Sequence, residues 1–102
     1  AMTMAAAFYG EIAGIFAEEA AALLEESAQA LVHLVAGDDV ELSLDEIKRA
    51  LHTLKGGARM ARLFALGDLS HELESLVIRM AEGGVPRDAA TLDLVRTSFD
   101  EL

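Results

Sequence analysis

Hydrophobic side chains recur at helical spacing along most of the chain, with acidic side chains between them. Over about residues 5–36 the apolar positions lie three or four residues apart, which is typical of a helix with one buried face. Gly10 and Gly14 allow a short leading helix to separate from the rest of this segment. Gly37-Asp38-Asp39 is a stop signal followed by a loop. The apolar positions of the segment are Ile12, Phe16, Ala20, Leu23, Leu24, Ala28, Leu31 and Leu34.

A second amphipathic segment begins at Ser43. Ser43 and Glu46 have the spacing of a capping box, in which the serine caps the helix and the glutamate reaches back to it. The pattern predicts that this helix runs to about Arg62. Its core stripe consists of Ile47, Leu51, Leu54, Ala58 and Ala61.

The remaining pattern predicts two more helices. A short connection over residues 63–66 leads into a third helix over about residues 67–82, which Gly83-Gly84 ends. Val85-Pro86 is the linker to a fourth helix, which starts near Asp88 and continues to the end of the chain. Four amphipathic helices with short connections predict an all-α fold, an antiparallel up-down four-helix bundle, with the short leading helix as an extra element.

The composition agrees with helices and excludes several classes of protein. The 102 residues include no cysteine and one proline, so a disulfide framework or a cysteine-based zinc site is excluded. No apolar stretch reaches the roughly 18 residues that cross a membrane, and no basic segment precedes the apolar start, as it would in a signal peptide. We therefore expect a single domain over residues 1–102 that is cytoplasmic and monomeric.

Charge is distributed unevenly along the chain. The formal net charge of -10 argues against a nucleic-acid partner and against an anionic membrane surface. Five of the eight basic residues nevertheless fall between positions 48 and 62, and no acidic residue lies between Ile47 and Gly67. The second helix is therefore locally basic in an otherwise acidic chain.

A histidine lies at the centre of this basic helix. At about 100° per residue the core stripe lies opposite His52. The residues within about 80° of it are Lys48, Arg49, Lys55, Gly56, Arg59 and Arg62. Gly56 and Gly57 in mid-helix each cost about 1 kcal/mol relative to alanine, which indicates that something approaches the backbone closely. A histidine beside a cation and bare backbone suits a transferable anion such as phosphate.

These residues resemble a known family. The run His52-Thr53-Leu54-Lys55-Gly56-Gly57-Ala58 resembles the signature of histidine phosphotransfer domains. It is most similar to those of chemotaxis-type histidine kinases, including the kinases that control type IV pili. A second run, Asp68-Leu69-Ser70-His71-Glu72-Leu73-Glu74, continues the similarity, which is specific over about residues 42–78. One departure is Arg62, at a position where many members have glycine.

The resemblance implies a role for each residue of the motif. His52 would be the phosphorylated residue, and Lys55 would approach the phosphoryl group. Gly56 would leave room for a docking partner. His71 and Glu74 would hydrogen-bond around His52, with the glutamate orienting its ring.

It also implies the partners of the domain. A phosphoryl group would come from a kinase ATP-binding domain or a receiver domain, and would pass to a receiver-domain aspartate in a two-component phosphorelay. Lys48, Arg49, Arg59 and Arg62 would steer the receiver. The domain would need no cofactor of its own, since the partner would supply Mg²⁺. It would be a phosphoryl carrier and no enzyme on its own, excised from a larger multidomain histidine kinase.

Antiparallel packing provides a check on the site. If the second and third helices pack across a turn near residues 63–65, His52 lies level with about residues 74–78. Glu74 can then reach His52. A carboxylate that accepts from Nδ1–H would leave Nε2 as the nucleophile.

Two other interpretations stay open. In one, the chain is a degenerate four-helix interaction domain in which His52 never carries phosphate. In the other it is a metal enzyme, because Asp68, His71 and Glu74 have spacing that suits ligands. The other carboxylates lie on predicted outer faces, however, so we expect no metal site.

Overall fold

The computed structural model describes residues 3–84 and 86–102. Val85, which the sequence assigns to the linker, lies outside the described residues. The described residues form four helices and no strand, which confirms the all-α four-helix bundle. The helices are α1 (Met4–Ala36), α2 (Val40–Met60), α3 (Phe64–Ala81) and α4 (Ala89–Asp100). None of them is long and apolar enough to span a bilayer.

All four helices contribute to the core. Leu34 of α1, Leu51 of α2, Val77 of α3 and Val95 of α4 are fully buried in one cluster. A second, turn-side cluster lies toward the α2–α3 connection. It is formed by Phe16, Ala20, Leu54, Ala58 and Ala61. The predicted core stripe of α2 is buried throughout, so the opposite face of that helix, which carries His52, is turned to solvent.

Helix α1 is continuous, so the separate leading helix predicted at Gly10 and Gly14 is wrong. The hydroxyl of Thr3 caps its start by accepting a hydrogen bond from the N–H of Ala6 at 3.1 Å. Each exposed glycine costs about 1 kcal/mol. Packing of Ile12 and Phe16 into the turn-side cluster offsets that cost and keeps the helix intact. The 33 residues of α1 extend over about 50 Å, so its first turns project past the turn-side cluster.

Helix α2 begins at Val40, and the capping box predicted at Ser43 is wrong. The N–H of Ser43 already donates to the carbonyl of Asp39 at 2.8 Å, as a residue inside a helix does. Ser43 is buried, and its hydroxyl donates to the carbonyl of Asp38. Val40 packs against the core, and this burial draws the start of the helix forward from Ser43.

The end of α2 lies at Met60, two residues before the predicted Arg62. Arg62 adopts the left-handed conformation, with a φ of 64°. Its N–H donates to the carbonyl of Arg59 at 3.1 Å, and the N–H of Leu63 donates to that of Ala58 at 2.7 Å. This is a Schellman motif, in which the left-handed residue is usually glycine. The turn forms although glycine is absent, at a steric cost of about 1–2 kcal/mol for arginine in this conformation.

Helix α3 begins at Phe64, three residues before the predicted start at Gly67. Gly67 is buried within the helix, and a Cβ atom there would lie 3.1 Å from Cγ of Arg59. This glycine therefore marks close packing of α3 on α2 and no helix boundary. The predicted start of α4 near Asp88 is confirmed, and Asp88 caps the helix by accepting a hydrogen bond from the N–H of Thr91 at 2.8 Å.

Candidate functional site

His52 and Glu74 meet across the α2–α3 pair. The Nδ1 atom of His52 lies 2.7 Å from Oε2 of Glu74, which is hydrogen-bond distance. The short connection between the two helices sets their register and brings these residues to the same level. The contact expected from antiparallel packing is therefore present.

The protonation state of Glu74 determines which nitrogen of His52 is free. The side chain of Glu74 is only 9% exposed. Burial alone would raise the pKa of this carboxyl, but the hydrogen bonds and charges of Lys55 and His52 outweigh it and lower the pKa below its usual value. An ionised carboxylate can only accept, so Nδ1 of His52 carries the hydrogen and donates it. The Nε2 atom of the neutral ring then keeps its lone pair.

Lys55 contacts the same carboxylate from the other side. Its Nζ donates to Oε1 of Glu74 at 2.6 Å, and the lysine side chain is 15% exposed. Each oxygen of Glu74 therefore accepts from one partner, Lys55 or His52. In this structure the lysine holds Glu74 ionised and oriented, one helical turn from the exposed ring.

His71 lies at the edge of this arrangement. Its Nδ1 is 3.9 Å from Oε1 of Glu74, which is too long for a hydrogen bond, and its side chain is 54% exposed. The residue sits one turn before Glu74 on α3. The structure thus brings His71 near the carboxylate, but it places no hydrogen bond between His71 and His52.

The two glycines that follow Lys55 differ in their surroundings. A Cβ atom at Gly57 would lie 2.8 Å from Cδ1 and Cε1 of Phe16, so the approach of α1 to α2 requires glycine there. A Cβ atom at Gly56 would meet nothing within 4 Å. The fold therefore explains Gly57, and nothing within the described structure requires Gly56.

These surroundings predict opposite changes in stability. Gly56→Ala should raise the free energy of unfolding by about 1 kcal/mol, because alanine favours the helix and the space is open. Gly57→Ala gains the same preference but forces a methyl group against the buried ring of Phe16, so we expect a net loss of about 1 kcal/mol. Urea denaturation of both variants measures the two changes. Equal stability of the two variants would contradict this account of Gly57.

The basic residues around His52 have separate environments. Asp45 binds Lys48 at 3.5 Å and Arg49 at 3.0 Å. The guanidinium of Arg62 lies over the ring of Tyr9, 4.3 Å from its centroid. Arg59 forms no ion pair with any residue that the structure describes. The side chain of Arg59 packs over Gly67 of α3.

Sequence reasoning did not identify the contacts of Asp45 and Tyr9. Asp45 precedes Lys48 and Arg49 by three and four residues, which is the spacing of helical ion pairs, so its role was readable from the pattern. Tyr9 carries no local signal, because its contact depends on how α1 packs beside the α2–α3 turn.

The described residues offer no alternative centre for a metal. Over residues 3–84 and 86–102, no three histidine, cysteine or acidic side chains lie close enough together to hold a metal ion. The candidate site is the group formed by His52, Lys55 and Glu74, with His71 at its edge.

Comparison with known proteins identifies a matching family and several relatives. A family model described as "Hpt domain" matches residues 11–102. The chain is 31% identical over 90 residues to the chemotaxis protein CheA of Borreliella burgdorferi, which covers 88% of this chain and 10% of that protein. It is 41% identical over 58 residues to CheA of Treponema pallidum, covering 57% of this chain and 7% of that protein.

A third relative is a gliding motility regulatory protein of Myxococcus xanthus. The identity is 36% over 59 residues, which covers 58% of this chain and 8% of that protein. The chain thus spans a tenth or less of the length of these relatives. No solved structure gives a significant match.

Proposed function

Because this chain belongs to the Hpt domain family, whose members carry phosphoryl groups in histidine phosphotransfer, we propose that Nε2 of His52 is the carrier atom. In this proposal His52 receives a phosphoryl group from a kinase or receiver domain and passes it to an aspartate of a receiver domain. The supporting observation is the placement of the ring. Its Nδ1 lies 2.7 Å from Oε2 of Glu74, while 69% of the His52 side chain is exposed. The ionised carboxylate then favours the state in which Nδ1 carries the hydrogen and Nε2 keeps its lone pair.

The chemistry of loading follows from that state. The lone pair of Nε2 attacks the phosphorus of the donor, the bond from phosphorus to the leaving group breaks, and the leaving group takes the electron pair. Because Nε2 carries no proton, this step needs no base. The ring becomes cationic as the Nε2–P bond forms, and the carboxylate of Glu74 stabilises this charge through the Nδ1–H bond.

Delivery reverses these bonds. A carboxylate oxygen of the acceptor aspartate attacks the phosphorus, the Nε2–P bond breaks, and its electron pair returns to Nε2. Phosphoryl transfer depends mainly on in-line placement and charge stabilisation. We propose that Lys55, whose ammonium has further donors beyond the bond to Glu74, contacts the phosphoryl oxygens, and that the partner supplies Mg²⁺.

Docking would use the face around Gly56. An exposed glycine one turn after His52 lets a partner approach the helix backbone closely. The nearby cations Lys48, Arg49, Arg59 and Arg62 would favour an acidic partner, which fits a receiver with a carboxylate at its centre. We further propose that the chain is one domain of a larger chemosensory histidine kinase, since two of its relatives are named CheA. A link to type IV pili belongs to the same proposal.

A labelling experiment tests the carrier role. The chain is incubated with phosphoramidate, a small-molecule phosphoryl donor, and the intact mass is measured. We expect one acid-labile phosphoryl group, located on His52 by fragmentation, and loss of that group when a receiver domain and Mg²⁺ are added. The other two histidines provide controls, because His33→Gln and His71→Gln should still accept one group. A phosphoryl group found on His33 or His71 alone would contradict the proposal.

A further inference from the structure

The left-handed position at the end of α2 is occupied by an arginine, Arg62, and not by glycine. Helices α1 and α3 end in the same kind of turn, and there the left-handed residues are Gly37 and Gly83, each with a φ of 79°. At the end of α2 the left-handed residue is Arg62, with a φ of 64°. An unfavourable residue at this point indicates that its side chain has a use that glycine cannot serve.

The side chain of Arg62 contacts the first part of α1. Its guanidinium lies 4.3 Å from the centroid of the Tyr9 ring, in a cation–π arrangement. Tyr9 lies one turn before Ile12, the first α1 residue that packs against the turn-side cluster. The Arg62–Tyr9 contact therefore holds in place a part of α1 that projects beyond the core.

The first half of α1 carries exposed apolar side chains on the side of α2. A groove between α1 and α2 is lined by Glu26 and Thr53. Ile15 lies about three turns before Glu26, and Phe8 about two turns before Ile15, so all three share one face of α1. Met60 lies about two turns after Thr53 on α2. The helical period thus places Phe8, Ile15 and Met60 on the faces of α1 and α2 that line this groove, and we call these three residues the apolar shelf.

The apolar shelf adjoins the candidate site. Met60 is one turn beyond Gly56, which is one turn beyond His52. The three shelf side chains are 58%, 66% and 71% exposed in chain order. Arg49 lines the α1–α2 groove and carries positive charge on the same side of α2. Apolar surface beside the basic face of α2 fits a partner with an apolar contact beside an acidic centre.

We propose that Arg62 and Tyr9 are positioning residues that hold the apolar shelf in place for the docking of an acidic receiver domain. The proposal rests on the proposed function and deepens it. The pair acts on the shelf and makes no contact with the reacting atoms. Its loss therefore weakens docking and leaves the reactivity of His52 toward a small donor unchanged.

The test compares loading with delivery. Wild type, Tyr9→Leu, Tyr9→Phe and Arg62→Gly are loaded with phosphoramidate, and transfer to a panel of purified receiver domains is followed with Mg²⁺. We expect equal loading in the wild type, Tyr9→Leu and Tyr9→Phe. For the receivers that accept the group from the wild type, KM should rise about threefold to fivefold in Tyr9→Leu and Arg62→Gly, with kcat unchanged. Tyr9→Phe keeps a ring face and should match the wild type.

The choice of variants separates this role from a loss of fold or charge. Glycine suits the left-handed position, so Arg62→Gly keeps the turn and removes only the side chain. Arg79→Gln removes one exposed positive charge from the last turn of α3 and should leave KM unchanged. Tyr9→Leu keeps the charge of Arg62, so the double variant should be no worse than Arg62→Gly alone.

Each of the other results of this test contradicts a different part of the proposal. An unchanged KM in Tyr9→Leu, or additive effects in the double variant, would overturn the positioning role. Failure of every receiver in the panel to accept the group from loaded wild type would remove the proposed occupant of the shelf. A chain that is never loaded at His52 would instead overturn the proposed function.

Discussion

Replacing His52 with glutamine is expected to abolish phosphoryl labelling. Glutamine retains the size and polarity of the side chain, and its amide can still donate to Glu74, but the amide nitrogen has no available lone pair for attack on phosphorus. Because the His52 side chain is 69% exposed and lies opposite the core stripe, the free energy of unfolding should change by less than about 0.5 kcal/mol. Labelling with phosphoramidate and urea denaturation measure the two quantities on the same protein.

His71→Gln is the matched control for this variant. His71 is also exposed and also lies near Glu74, but the structure gives it no hydrogen bond to His52. We expect it to retain labelling within about threefold of the wild type, as suits a residue that does not reach the ring. If His52→Gln and the wild type were labelled equally, the carrier role would be wrong. If neither were labelled while another phosphotransfer domain was, the chain would be a degenerate interaction domain.

Glu74→Gln should reduce the rate of labelling by about 10- to 100-fold. The carboxylate offers one acceptor oxygen to Lys55 and another to Nδ1 of His52. Glutamine offers a single oxygen, and the ammonium group of Lys55 is the stronger competitor for it. The amide NH₂ then faces Nδ1 and favours the tautomer whose hydrogen is on Nε2, which removes the nucleophilic lone pair.

The same variant should destabilise the fold. Both Glu74 and Lys55 are largely buried, so loss of the carboxylate leaves Lys55 without its charged partner. We expect the free energy of unfolding to fall by about 1–3 kcal/mol at neutral pH. Glu72→Gln on the same helix removes an exposed carboxylate and should change neither labelling nor stability measurably. A rate of Glu74→Gln equal to that of Glu72→Gln would refute the orienting role of Glu74.

The effect of Glu74 on stability should depend on pH in one direction. Lys55 and His52 lower the pKa of the Glu74 carboxyl in the folded chain, despite the opposing effect of burial. A lowered pKa stabilises the fold at pH values above the usual pKa, and this stabilisation is lost as the pH falls through the lowered pKa. The stability gap between wild type and Glu74→Gln should therefore narrow as the pH falls below the ordinary glutamate pKa of 4.5, as measured by urea denaturation. A gap that stays constant at acid pH would contradict the ion pair.

Much of the site was predictable because its signals are local. The period of apolar residues in α2 identifies the buried stripe, and thereby turns His52 to solvent. The short α2–α3 connection restricts the register of the two helices, which is why the sequence places Glu74 level with His52. The start of α4 near Asp88 is equally local, since the Asp88 side chain accepts from the N–H of a residue only three positions later.

The errors arose where packing overrides local preference. Ser43 and Glu46 have the residues of a capping box, but burial of Val40 against the core extends α2 beyond Ser43. Gly67 has the appearance of a boundary, but the approach of Arg59 makes it a packing position inside α3. In each case the local signal is weak, about 1 kcal/mol or less, and tertiary burial is stronger.

The sequence by itself determined the four helices, the buried face of α2 and the exposed histidine, because helical periodicity depends only on neighbouring residues. Only the tertiary structure decided the partners of the charges. Lys55 is turned to Glu74, and Arg62 is stacked on Tyr9, far away in the sequence. Such contacts depend on how three helices meet in space, and no period along one helix records that arrangement.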